Sequence, residues 1–242
     1  MNDVLLCKAI ADKQNVVFEA PKLTATELLE IIQEDKKYGI FRPRNGKYFT
    51  YKALNHDIEI SEKTILKGMM LSTYEWAFKI SYAFRRISKD QESDFKLEFR
   101  TTSEDPELTS NTIMYHYFPI NDLDDPRRGL CVANSDFFFT VTGNPVDMHL
   151  IDPIHYPELN PTNPLGISFD FDKIYRHELG HGLGLTHVME AGHLMSPNEG
   201  DMSEHASGTD GKRATAKYTA RSWPSFIVQL WKSNYRRWSE SY

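Results

Sequence analysis

The feature that most constrains this 242-residue chain is one short run, His177-Glu178-Leu179-Gly180-His181-Gly182-Leu183-Gly184-Leu185-Thr186-His187. Because His177 and His181 are four positions apart, a helix presents them on one face, one turn apart. Two imidazoles held in this way can bind one Zn²⁺. Gly184 tolerates the left-handed conformation in which a helix ends, so the chain can turn back and bring His187 to the same ion. The run predicts a helix, a stop and a zinc site with three histidine ligands.

The chemistry that this pattern favours is hydrolysis. Three nitrogen ligands leave one zinc coordination position open, which is typical of catalytic rather than structural sites. Glu178 lies next to the first ligand, where it can reach a water molecule at the ion without being a ligand itself. We therefore predict that Glu178 is the general base, taking a proton from the water and later delivering it to the leaving amine.

The same run resembles the motif of the metzincin zinc peptidases, HExxHxxGxxH followed by a methionine turn. Leu194-Met195-Ser196-Pro197 is similar to the matrixin form of that turn, and the eight-residue step from His187 to Met195 fits this subfamily. The resemblance implies a matrixin-like zinc metalloendopeptidase that hydrolyses peptide bonds and binds one catalytic zinc ion. It also implies that Met195 is a structural support, an apolar floor beneath the ion, and not a ligand.

The resemblance further implies a protein or peptide substrate bound in extended form along an exposed sheet edge. We expect that edge within residues 130–141, and we expect the loop after Met195 to line a substrate pocket. The family resemblance suggests a secreted protein, whereas the visible N-terminus has no signal peptide, so the compartment stays open.

Two other functions remain open from the sequence. The first is a non-catalytic protein-binding module that retains the zinc site for stability. Glu178 argues against this reading, because stability alone does not require a base beside the ligands. The second is a zinc hydrolase of a non-protein amide, since the same chemistry applies to other carbonyl groups.

Additional metal sites are weaker predictions. Matrixins carry calcium and a second zinc near the middle strands, and Asp147, His149 and Asp152 match that pattern only loosely. Asp122, Asp124 and Asp125 form an acidic cluster suited to calcium, but a solvated turn before Pro126 explains them as well. His56, His116, His155 and His205 have no ligand spacing and are predicted to be surface or hydrogen-bonded residues, and His193, two positions before Met195, is interpreted as a turn residue, with a place near the site as the alternative.

The predicted architecture is α+β, a zincin-like twisted mixed sheet with a long helix and the active-site helix packed on it. Residues 1–42 are predicted to be an N-terminal extension, either a pro-segment or a partner-binding arm, and residues 43–242 the catalytic domain. Thr24 and Glu27 predict a capped first helix that ends near Gly39. The further predictions are a strand at 47–54, a helix at 61–88, strands at 95–101, 112–118, 130–141 and 148–154, a helix from Phe171, a polar loop at 195–219 and a C-terminal helix containing Phe226, Ile227, Leu230 and Trp231.

Composition excludes several classes. With 40% hydrophobic and 26% charged residues, the chain is typical of a globular protein. Its net charge of −6 argues against nucleic acid as a partner. Two cysteines are too few for a disulfide scaffold, no apolar run is long enough for a transmembrane segment, and nothing indicates an oligomeric state. A basic, tryptophan-rich C-terminal stretch is interpreted as a terminal helix that buries its tryptophans and solvates its charges, with a docking surface for an acidic partner, a membrane or nucleic acid as the alternative. Its basic residues are Lys212, Arg213, Lys217, Arg221, Lys232, Arg236 and Arg237, interleaved with Trp223, Trp231, Tyr235 and Trp238.

Overall fold

A computed structural model of the chain describes residues 23–56, 60–140, 168–206 and 208–218. Within these residues, four helices and seven strands follow one another along the chain. They are α1 (Ala25–Lys37), β1 (Phe49–Ala53), α2 (Glu62–Ile80), β2 (Phe84–Arg86), β3 (Phe95–Arg100), β4 (Met114–His116), β5 (Leu130–Asn134), β6 (Phe138–Thr140), β7 (Ser168–Asp170), α3 (Phe171–Gly182) and α4 (Gly208–Lys217). None of the described helices is long and apolar enough to cross a membrane.

The main sheet has five strands in the order β2-β1-β3-β5-β4. Strands β2, β1, β3 and β5 are parallel to one another, and β4 pairs antiparallel with β5 at one edge of the sheet. Strands β6 and β7 form a separate parallel pair. Helices α2 and α3 pack against each other, and Trp76 on α2 donates its indole N–H to the Arg176 carbonyl at 2.8 Å. The predicted α+β fold with a mixed sheet is confirmed.

The end of the long helix differs from the prediction. Ser61 caps α2 as expected, since its hydroxyl accepts a hydrogen bond from the backbone N–H of Thr64. The helix ends at Ile80 rather than near Ser88, because Ser81 adopts the left-handed conformation with φ 55°. The chain then enters strand β2, which the sequence analysis had included in the helix.

The structure also narrows the predicted substrate edge, because it excludes β5 as an edge strand. The stretch at 130–141 contains two strands, β5 and β6, separated by a turn. Strand β5 lies between β3 and β4, so its backbone is already paired on both sides. The edge strand of the main sheet next to β5 is β4, within the predicted strand at 112–118. The predicted strand at 148–154 lies outside the described residues.

The segment after Met195 is not a continuous polar loop, because it contains helix α4. The sequence of α4 is mostly polar, so it does not show which face of the helix is buried. In the structure Asp210, Arg213 and Lys217 are buried, and each pairs with other polar groups. The predicted helix containing Phe226 and Trp231 lies outside the described residues.

Helix α1 carries the predicted capping box, in which Thr24 and Glu27 satisfy each other's backbone N–H groups. The helix packs against α4, so residues on opposite flanks of the chain meet. The division into an extension at 1–42 and a catalytic domain at 43–242 stays a prediction.

Candidate metal centre

The helix that carries the first two histidines has defined ends. Asp170 caps the start of α3 by accepting a hydrogen bond from the Lys173 backbone N–H at 3.1 Å. Gly184 follows the end of the helix with φ 88°, and its N–H donates to the His181 carbonyl at 2.7 Å. A residue with a Cβ would be strained at this φ and would also contact the Lys217 ammonium. The chain therefore reverses at Gly184 and returns toward the helix.

This reversal brings His187 to the two helical histidines. The Nε2 atom of His181 lies 3.0 Å from Nε2 of His177 and 3.1 Å from Nε2 of His187. Among the described residues, this triad is the one group of three or more histidine, cysteine or acidic side chains arranged to hold a metal ion. The structure thus brings together the three predicted ligands.

Hydrogen bonds to the opposite ring nitrogens fix how two of these imidazoles point. The Nδ1 atom of His177 lies 2.6 Å from the Leu194 carbonyl oxygen, and Nδ1 of His181 lies 2.7 Å from that of Leu185. A carbonyl oxygen only accepts, so each Nδ1 carries the proton and each Nε2 presents its lone pair. Hydrogen bonds of this kind, from Nδ1 to a backbone carbonyl, are the usual means by which proteins orient histidines that bind a metal.

The electrostatics of the triad favour a cation at its centre. Burial, followed by the nearby His187, lowers the pKa of His177 to about 3. Burial also lowers the pKa of His187 to about 4 and that of His181 well below its ordinary range. At neutral pH the three rings are therefore uncharged, and nitrogen lone pairs about 3 Å apart repel one another unless a cation lies between them. Three neutral imidazoles are a donor set that suits Zn²⁺.

Exposure differs between the three ligands. His177 and His181 are fully buried, whereas His187 is partly exposed. His187 is therefore the one residue of the triad with part of its surface accessible in the described residues.

Glu178 lies on the buried helix between the two helical ligands and is fully buried itself. The charge of Glu178 affects Cys131 on strand β5. Burial, followed by this charge, raises the pKa of the Cys131 thiol well above its usual range. A fully buried glutamate is unusual in a folded protein, and buried ionisable groups cluster at functional sites.

Met195 lies against the same helix. A methyl group placed on Gly180 would lie 2.5 Å from the Met195 sulfur, so the thioether touches the helix backbone beside His181. The Met195 carbonyl accepts a hydrogen bond from the backbone N–H of Val188 at 2.8 Å, which holds the residue after His187. Leu194 and Met195 thus contact both the helical and the non-helical parts of the site.

His116 on β4 is a site neighbour that sequence reasoning missed. It is buried, and burial lowers its pKa to about 4. Its ring lies over Gly182, where a Cβ would be 2.6 Å from Nε2 of the imidazole. The edge strand therefore meets α3 one residue after His181. No ligand-like spacing marks His116 in the sequence, because strand pairing rather than local pattern places it there.

This close approach makes Gly182 sensitive to substitution. We expect Gly182→Ala to destabilise the zinc-free chain by about 1–3 kcal/mol, since the new methyl group overlaps a rigid, buried ring. The gain in helix propensity is at most about 1 kcal/mol and does not offset the overlap. Urea denaturation of the variant and the wild type measures the difference.

Gly208→Ala is the matched control, because no atom lies within 4 Å of the added methyl group at the start of α4. It should leave the free energy of unfolding unchanged or slightly raised. Equal stability of Gly182→Ala and the wild type would show that the His116 ring leaves room for a methyl group at Gly182.

The other predicted metal sites gain no support. Asp122, Asp124 and Asp125 do not converge as ligands in the described chain; Asp125 instead pairs with Arg127 at 2.8 Å. Asp147, His149 and Asp152 lie outside the described residues.

The structure thus combines a mixed sheet, a buried helix and three converging histidines that could hold a metal ion. In a comparison with protein families, the matrixin family matches residues 43–210, which is more than half of the chain. The chain belongs to the matrixin family. A search of curated proteins found no match. Family and triad together support a zinc metallopeptidase in general, with proteins or peptides as its class of substrate.

Proposed function

We propose that this protein is a zinc-dependent endopeptidase in which Glu178 is the general base. The observation that carries the proposal is the convergence of three neutral imidazoles, with Nε2 of His181 3.0 Å from that of His177 and 3.1 Å from that of His187, at a helix that also carries the fully buried Glu178. Matrixin membership supplies the reaction class, and the triad supplies the means to hold the ion.

His177, His181 and His187 would hold the ion through their Nε2 atoms. Zinc, when bound there, supplies a Lewis acid that polarises the scissile carbonyl and lowers the pKa of a water molecule toward ~7. Glu178 would accept a proton from the attacking water and donate it to the amine that leaves when the peptide bond breaks. The burial of Glu178 supports this role, because fully buried glutamates are rare in proteins and cluster at functional sites.

Met195 and Gly184 would act as structural supports. Gly184 allows the reversal that returns His187 to the helix, and Met195 contacts the helix backbone and the residue after His187. Neither side chain supplies a ligand atom in this proposal.

The substrate would lie in extended form along strand β4. An edge strand has unpaired backbone N–H and C=O groups on its outer side, which an extended peptide can pair with. Contact between His116 of β4 and Gly182 of α3 supports this edge as the substrate edge, because it lies next to the zinc-binding helix. This assignment replaces the one within residues 130–141.

Removing zinc tests the enzyme proposal directly. We expect a chelator such as 1,10-phenanthroline to abolish cleavage of a peptide library, and added Zn²⁺ to restore it, since the nucleophile depends on the ion. Cleavage products would be identified by mass spectrometry.

Reagents that modify serine or cysteine nucleophiles are the control and should have no effect. Cleavage that survives complete zinc removal would contradict the proposal. Zinc binding without cleavage of any peptide would favour the binding-module alternative, and cleavage of simple amides alone would favour a non-peptide hydrolase.

A further inference from the structure

A buried ionic network joins the two flanks of the chain beside the third zinc ligand. Asp35 is on α1, Arg213 is on α4, and Thr186 directly precedes His187. All three residues are buried, with Arg213 only 1% exposed. Asp35 and Arg213 lie on opposite sides of the stretch 43–210 that matches the matrixin family, so the network is built by flanking segments.

The Asp35 carboxylate holds the N–H side of Thr186. Its Oδ1 atom accepts hydrogen bonds from the Thr186 backbone N–H at 2.8 Å and from the Thr186 hydroxyl at 3.0 Å. Arg213 donates to both carboxylate oxygens, from Nη2 at 2.7 Å and from Nε at 2.9 Å. This two-pronged geometry fixes the carboxylate more tightly than a single bond does.

Arg213 binds the backbone carbonyl of Thr186. Its Nη2 atom donates to the Thr186 carbonyl at 2.7 Å, and that carbonyl belongs to the peptide group that leads into His187. Both backbone polar groups of Thr186 are therefore bound by buried side chains rather than by a helix or strand.

Two further contacts extend the network toward the other ligands. Lys217 donates from Nζ to the Asp35 carbonyl and, at 2.9 Å, to the carbonyl of Gly184. Asp210 pairs with Arg213 and accepts the Leu194 backbone N–H at 3.1 Å. The Leu194 carbonyl in turn orients His177.

The position of His187 depends on this network more than the positions of the other ligands do. His177 and His181 are fixed by the helix on which they lie, but His187 follows the reversal at Gly184 in irregular backbone. On its C-terminal side, Val188 is held by the Met195 carbonyl. On its N-terminal side, Thr186 is held by Asp35 and Arg213.

Stability alone does not account for an ion pair at this place. Burying an aspartate and an arginine costs desolvation, and well-packed apolar side chains often stabilise a core equally well. What apolar side chains do not provide is a set of hydrogen bonds to one chosen peptide group.

We propose that Asp35 is a positioning residue for His187, so that helix α1 is an integral part of the zinc site rather than a removable segment. The inference rests on the zinc site of the proposed function. Outer-shell partners of zinc ligands typically change metal affinity by 10–100-fold when they are removed.

The test measures zinc affinity of the full-length chain by competition with a chromophoric chelator, with no substrate present. We expect the zinc Kd to rise about 10-fold for Asp35→Asn, which keeps an oxygen acceptor, and up to about 100-fold for Asp35→Leu, which does not. Glu34→Gln is the matched control, because it removes the same charge from the neighbouring, solvent-exposed position of α1 and should leave the Kd unchanged.

A double variant, Asp35→Leu with Arg213→Met, separates positioning from stability. We expect it to unfold at a higher temperature than Asp35→Leu alone, since it does not leave the Arg213 guanidinium buried without the Asp35 carboxylate, although Asp210 also loses its pairing with Arg213. Its zinc Kd should stay raised, because both backbone groups of Thr186 have lost their partners.

A zinc Kd equal to that of the wild type, in either the double variant or Asp35→Asn, would overturn the positioning role. If Asp35→Leu does not fold, the other two variants decide the question. A wild-type chain that binds no zinc would instead refute the proposed function, so the two failures are distinguishable.

Discussion

Replacing Glu178 with glutamine should lower kcat/KM for peptide cleavage by at least ~10² while zinc stays bound, since general acid–base catalysis contributes 10²–10⁴-fold. Glutamine has nearly the same shape and fills the same buried space, but it does not accept a proton from water. The three imidazole ligands are untouched by the change. The measurement pairs steady-state kinetics on one peptide with quantification of zinc in the same sample.

Glu62→Gln is a suitable control for this variant. Glu62 lies in the first turn of α2 and pairs with Lys89 at 3.2 Å, so the substitution also removes one negative charge, but from a solvent-exposed ion pair outside the histidine triad. Its kcat/KM should stay within a few-fold of the wild type. Full activity of Glu178→Gln with zinc bound would exclude Glu178 as the base.

His187→Ala should weaken zinc binding by more than ~100-fold, beyond the effect of losing an outer-shell partner, because one of three protein ligands is removed. His187 is the best ligand to test, because it is partly exposed and lies outside the helix. Replacing the fully buried His177 or His181 would also open a cavity in the core and destabilise the fold. A loss of zinc affinity could then not be separated from a loss of folding. Equilibrium dialysis against a chelator gives the zinc Kd.

His205→Ala serves as the control for this experiment. The His205 side chain is exposed, pairs with Glu75 and does not belong to the triad, so its removal should leave the zinc Kd unchanged. Undiminished zinc binding by His187→Ala would show that the ion is held elsewhere, and it would remove the basis for an open coordination position between these histidines.

The zinc site could be predicted because its determinants are local. The spacing of His177 and His181 needs only a helix, and Gly184 needs only a backbone reversal, so eleven consecutive residues specify the geometry of all three ligands. The resemblance to matrixins added the methionine after the site. No contact between residues far apart in the sequence had to be predicted.

The supporting contacts could not be predicted, since they join distant parts of the chain. Asp35 is an unremarkable acid on an amphipathic helix until Arg213, 178 positions further on, pairs with it. Arg213 and Lys217 were interpreted as solvated charges, yet both are buried against carbonyl and carboxylate oxygens. His116 reaches α3 only through the pairing of β4 with β5.

The predicted boundaries of helices and strands were wrong where the backbone changes direction within a predicted element. The apolar stripe of α2 continues to Ala83 and Ile87 in the sequence, but Ser81 ends the helix, and Ala83 is buried before a strand instead. The long apolar stretch at 130–141 divides in the same way, because the turn between Asn134 and Phe138 separates two strands that belong to different sheets. Periodicity alone does not reveal such breaks.

The two outermost strands of the main sheet differ in a way that bears on self-association. Strand β2 exposes Arg85 and Arg86, so a second copy approaching that side would bring like charges together. Strand β4 has three buried residues and no carboxylate or ammonium group. Each of these strands spans three residues, so within the described residues both sides of the main sheet offer little backbone for extensive pairing between molecules, which discourages fibril-like stacking.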